Sequence, residues 1–282
     1  MTTGRWPDGH SAAVSITMDN MGEAAELYRG AWPADKTVGL HDSVTSLLPG
    51  MLKTLEETGV LATYFIEGWN TTTYPQAMQA VRHSGHEVAF HGWQHEPWGT
   101  LDPATEKELI DRSLNGFSRL SLQIWGFRPP GGVLTESSPT MLRDAGIRYC
   151  SPAGSDAAIR DDLVYLPFAW QGIDAYSYSD NFAGLREQKG DDPGAIAPAA
   201  FADRVQQHLD EVIDRGGYTA LLFHPFLTID EDRTSAMREI IERVVNDDRI
   251  WCERCFEVSE WVRSNPEHFG TDPGFDLTSW SR

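Results

Sequence analysis

Short apolar runs alternate with helix-patterned segments along nearly the whole chain, and this alternation limits the folds open to it. The apolar runs occupy residues 12–18, 61–66, 88–90, 124–127, 147–150, 163–167 and 218–223. They are mostly apolar along their length, interrupted chiefly by small hydroxyl residues, which is the pattern of strands buried on both faces. Between them, apolar residues recur at helical spacing. Val44, Leu47, Leu48, Met51, Leu52 and Leu55 share one side of a segment over 43–58 that Gly59 ends. The same reasoning predicts helices over 74–83, 103–120, 138–145, 201–215, 231–246 and 258–264. Asp102-Pro103 is a start signal, a capping carboxylate followed by a proline in the first turn. Strand–helix alternation of this kind predicts an α/β fold with a parallel sheet covered by helices, and six or seven such units predict a (β/α) barrel.

Four of these strands end in polar residues that do not suit a core: Asp19-Asn20, His91 to His95, Arg128 and His224. In parallel barrels the strand ends of one face converge on the active site. The residue types suit hydrolysis at a metal. His91 and His95, four apart at the end of an apolar strand, are neutral-imidazole ligands, and an oxygen ligand from the first strand would complete the set. Asp19 is a candidate base, with Arg128 to hold it ionised, and His224 a candidate acid for the leaving nitrogen. Trp93 and Trp170 are candidates to stack on a substrate ring.

Length and composition bound the rest. The 282 residues, 40% hydrophobic, predict a single catalytic domain with its core over 12–262. Residues 171–198, rich in Gly, Asp, Ser and Pro, predict a long loop or lid, and 265–282 an extended C-terminal tail. The net charge of −19 and a pI near 4.7 argue against nucleic acid or an anionic membrane as partner. Residues 1–10 have no basic flank or apolar core of a secretion leader, and the expected location is cytoplasmic. Cys150, Cys252 and Cys255 are too few and too odd in number for a disulfide framework, so the last two are read as ordinary thiols near the final helix.

These residues resemble the polysaccharide deacetylases, carbohydrate esterase family four, and their relatives among cyclic-amide and allantoin hydrolases. Thr17-Met18-Asp19-Asn20 is similar to the family's first motif, usually Thr-Phe-Asp-Asp. Gly85-His86-Glu87-Val88 through His91-Gly92-Trp93-Gln94-His95 is similar to the second, whose two histidines bind metal. Phe127-Arg128-Pro129-Pro130 is similar to the third, and Leu222-Phe223-His224-Pro225 to the fifth. Trp170 and Asp174 stand near the place of the fourth. The resemblance implies a distorted, seven-stranded (β/α) barrel. It also implies one divalent metal ion, with zinc the best fit and cobalt, nickel or iron alternatives. The implied substrate is a small-molecule or oligosaccharide amide, most simply an N-acetylated sugar, and self-association is left open.

Three departures shape the expectation. Asn20 replaces the second aspartate of the first motif, so either its amide coordinates, or Asp19 takes the metal, or Glu23 substitutes, or catalysis is lost. The secretion leader of wall deacetylases is missing, and Gly92-Trp93 is closer to the cyclic-amide branch. The alternatives are therefore ring opening of a cyclic amide and, in another class, a non-catalytic carbohydrate-binding protein.

Overall fold

The computed structural model describes residues 4–278. Residues 1–3 of the N-terminal segment and residues 279–282 of the predicted tail lie outside the described residues. Ten strands form one curled sheet: β1 Ala12–Asp19, β2 Thr63–Ile66, β3 Glu87–Phe90, β4 Gly126–Phe127, β5 Tyr149–Cys150, β6 Ala158–Arg160, β7 Leu163–Tyr165, β8 Phe168–Ile173, β9 Tyr218–Phe223 and β10 Ile250–Cys252. Their order is β6-β7-β5-β4-β3-β2-β1-β9-β8, with β10 added beside the first half of β1. Every pair is parallel except β6 with β7. The curl brings the sheet back on itself at a single parallel bridge, Ala153 to Phe168, just beyond β5. Counted through that bridge, β1, β2, β3, β4, β5, β8 and β9 make a ring of seven. This is the distorted barrel expected from the sequence.

Alternation along β1 shows how the strands build two cores. Ala12, Val14, Ile16 and Met18 belong to a cluster shared with the helices Pro198–Asp214 and Glu231–Asn246. Ala13, on the opposite face, joins Phe65, Ala89, Tyr149, Ala220 and Leu222 in a second cluster. Successive side chains of a strand point to opposite faces, so Ser15, Thr17 and Asp19 share the Ala13 side. That side carries small and polar residues, which leaves room at its upper end for a large polar group.

The predicted loop over 171–198 is a correction. The segment holds the end of β8, a helix Asp174–Tyr178, a 3-10 turn Asp180–Phe182 and a helix Ala183–Gln188. It lacks an apolar period because a buried arginine organises it. Arg186 is wholly buried and donates to the carbonyls of Tyr176, Ser179 and Pro193. Three strands were also absent from the sequence reading: β6, β8 and β10.

Candidate active site

Each polar strand end reaches the same rim of the barrel. β1 delivers Asp19 and then turns through Asn20 in the left-handed region, at φ 60°, a conformation asparagine tolerates better than most residues. Met21 is clamped next. Its amide donates to Glu67 at the end of β2 (3.1 Å), and its carbonyl accepts from Asn70 (2.8 Å). Burial pushes the Glu67 carboxyl up to about 8, against the pull of the backbone amides it accepts from.

β3 ends at His91, and the loop that follows is fixed by Glu96. Its carboxylate accepts from the amides of Trp93 and Gln94, each at 2.9 Å. Gly92 is required there. It has φ 73°, and a Cβ would meet Glu96 Oε2 at 2.9 Å. The turn brings His95 back beside His91, with ring centroids 5.0 Å apart. His91 Nδ1 donates to the Arg128 carbonyl at 2.8 Å, so its lone pair lies on Nε2. Burial holds His91 down to about 3 and, with His91 and Arg29 nearby, drives His95 well below the ordinary imidazole range. Both rings are therefore neutral and able to ligate.

Arg128 follows β4 and is the large polar group that the barrel side of β1 accommodates. It is 1% exposed, yet every guanidinium nitrogen is occupied. Nη1 donates to Asp19 Oδ1 (2.6 Å) and Thr17 Oγ1 (2.8 Å), and Nε and Nη2 donate to Ser151 Oγ (3.2 and 2.9 Å). The Phe65 ring packs beneath it at 4.0 Å. Burial raises the Asp19 pKa above its ordinary value, and Arg128 and His224 oppose that rise. Asp19 Oδ2 also lies 3.7 Å from His91 Nε2. Across the rim, Asp174 at the end of β8 holds His224 at the end of β9. Its Oδ1 is 2.6 Å from His224 Nδ1, and its Oδ2 accepts from the His224 amide at 2.7 Å. The imidazole is thus fixed with Nε2 as its remaining nitrogen.

Asp19, Asn20, His91, His95, Arg128 and His224 all line one cavity of about 330 Å³. The Asn20 amide oxygen is buried there without a hydrogen-bond partner among the described residues. A buried, unpaired acceptor beside two neutral imidazoles is the donor set a divalent cation accepts, although an amide binds such an ion more weakly than a carboxylate. Among the described residues, no group of three or more His, Cys, Asp or Glu is arranged to hold a metal ion.

Two expectations need correction. Trp93 does not line the cavity. The left-handed turn at Gly92 sends its ring into the core between sheet and helices, where the Arg112 guanidinium stacks on it at 3.9 Å. Trp170 does line the cavity. Glu23 does not stand in for Asn20. Its carboxylate is buried against the Tyr74 hydroxyl (2.5 Å) and the Gly39 amide (2.6 Å), tying down the first long connection. The sequence reading missed Ser151 and Glu96 and gave Asp174 no role. Asp174 was the most accessible of the three, as an acid four residues after Trp170 near the place of the fourth motif.

A curled parallel barrel thus gathers the Asp19–Arg128 pair, the His224–Asp174 pair and the imidazoles of His91 and His95 on one rim. The polysaccharide deacetylase family model matches residues 33–150, which include both histidines and Arg128. The curated peptidoglycan deacetylase-like protein FGM2 of Gibberella zeae is 31% identical over 133 residues, 46% of this chain and 38% of that protein. A putative polysaccharide deacetylase from Mycobacterium smegmatis superposes with a TM-score of 0.79 at 26% identity over 96% of each chain. The Puue allantoinase superposes with a TM-score of 0.71 at 16% identity, over 92% of this chain and 93% of its own. The chain is thus similar to polysaccharide deacetylases, in sequence over residues 33–150 and in fold over nearly its whole length. It spans well under two thirds of the length of the curated relative it matches. No helix among the described residues is long and apolar enough to cross a membrane.

Proposed function

We propose that this chain hydrolyses a non-peptide C–N amide bond with one divalent metal ion, by the chemistry of an N-acetyl deacetylase. The observation that carries the reading is the unpaired Asn20 oxygen beside the neutral His91 and His95, facing the Asp19–Arg128 and His224–Asp174 pairs in one cavity. His91, His95 and Asn20 would hold the ion, which when bound would polarise the substrate carbonyl and acidify a water. Zinc suits these donors, with cobalt, nickel or iron in competition. Asp19 is positioned by Arg128 to take the proton from the attacking water. Arg128 opposes the rise that burial imposes on that carboxyl and so favours its ionised form. His224 is positioned by Asp174 to deliver a proton from Nε2 to the leaving nitrogen. A second reading, ring opening of a cyclic amide, is favoured by the small volume of the cavity.

Elemental analysis of protein purified without chelators tests the proposal. Wild type is expected to carry about one equivalent of zinc or a neighbour and to release acetate from N-acetylated compounds, or to open cyclic amides, with both properties lost in His91→Ala. Metal-free wild type that stays inert after soaking would instead support a non-catalytic carbohydrate-binding protein.

A further inference from the structure

The cavity divides chemically. The polar strand ends line one part of it, and Phe168, Ile173, Phe182, Leu222, Phe226 and Leu227 form an apolar side, with Glu26, Arg29, Ser179 and Asn181 also on the lining. Phe182 comes from the turn after the β8 helix, and Phe226 and Leu227 follow His224, so two connections bring apolar side chains around the reacting centre. The volume of about 330 Å³ stands at the small end of ligand cavities. A sugar ring presents hydroxyls on nearly every carbon, and a buried hydroxyl without a partner is disfavoured. Against the apolar side between Phe182 and Leu227 a sugar would leave hydroxyls unpaired, and the small volume leaves little room for neighbouring sugars. An apolar body there gains instead from leaving water.

Resting on the hydrolase reading above, we infer that the substrate is a compact amide with an apolar body, an N-acyl derivative of an aliphatic or aryl amine, not a chain of N-acetylated sugars. The amide lies against the polar strand ends and the body between Phe182 and Leu227. Water is the only co-reactant. A C–O bond forms as the C–N bond breaks, the acyl group leaves as a carboxylic acid, and the amine nitrogen takes the proton from His224.

The test compares N-acetylphenethylamine with N-acetylglucosamine and its trimer. Binding is measured by calorimetry on zinc-loaded Asp19→Asn, with His224→Asn as a second background should the first fail to fold, and turnover on zinc-loaded wild type. The expected result is at least tenfold tighter binding and tenfold higher kcat/KM for the phenethyl amide. Leu227→Gln should shrink that preference at least fivefold. Tighter binding or faster turnover of either sugar, equal affinities, or no binding of the phenethyl amide would overturn the inference while acetate release still supported the hydrolase. Selective binding of the phenethyl amide with no turnover of any amide would sink the hydrolase reading and keep the assignment of the apolar side.

Discussion

Arg128 shows how one residue couples stability to chemistry. A buried guanidinium is tolerated only when it is well hydrogen-bonded, and here Asp19, Thr17 and Ser151 accept from all three of its nitrogens. Arg128→Met leaves Asp19 buried without its counter-charge and is expected to destabilise the fold by about 3–5 kcal/mol. Urea denaturation measures this; an unchanged midpoint would refute the role. Asp174 acts through His224. Asp174→Asn leaves a single acceptor oxygen for two His224 donors, the backbone amide and Nδ1, so the ring loses its fixed orientation, and kcat for whichever amide is turned over is expected to fall by about 10²–10⁴-fold with little change in KM. A rise in KM at unchanged kcat would make Asp174 a binding residue instead.

Elements act here through very short pieces of chain. β4 is only two residues long, Gly126–Phe127, yet it places Arg128. It lies so close to its neighbour that a Cβ on Gly126 would meet the Tyr149 ring at 1.9 Å. Gly126→Ala is therefore expected to lower stability by about 3 kcal/mol or more, visible as a drop in Tm. The loop after β3 depends in the same way on Glu96, which accepts the amides of Trp93 and Gln94 and so sets where His95 stands. Glu96→Ala is expected to weaken zinc binding about 10–100-fold in a competition titration while His91 stays in place. Equal affinity in the two proteins would show that His95 is placed by other contacts.

The whole molecule has a second buried carboxyl region at the opposite end of the barrel strands. Glu87 opens β3 and accepts from Tyr149 (2.8 Å), Thr63 (2.8 Å) and the Phe256 amide (3.0 Å), joining the final helix to the sheet. Burial pushes its pKa up to about 7, from 4.5 in the unfolded chain. Between those values the folded state keeps a proton that the unfolded state has lost. The contribution of Glu87 to stability therefore falls as pH rises through this window, by about 3 kcal/mol, and is flat above it. His86 and His208, each pushed down to about 4 by burial, act in the other direction, losing stability as pH falls from 6.5. The difference between wild type and Glu87→Gln isolates the carboxyl. Urea denaturation from pH 4.5 to 7.5 should show the gap changing steadily between them, and a gap independent of pH would refute it.

What the chain determined by itself is what contiguous residues encode. Mostly apolar runs require strands buried on both faces, helical spacing requires covering helices, and a polar residue after a core strand must find an exit. The parallel barrel and the rim residues Asp19, Asn20, His91, His95, Arg128 and His224 were legible for that reason. Tertiary structure alone decided which distant groups meet. Ser151 under Arg128, Asp174 behind His224, the bridge from Ala153 to Phe168, and the turn that buries Trp93 depend on strand neighbours and backbone direction. Arg186 organises residues 174–193 through carbonyls, which leave no periodic trace in side chains. Local patterns report burial; pairing across the barrel is a property of the closed sheet, and no window of sequence contains it.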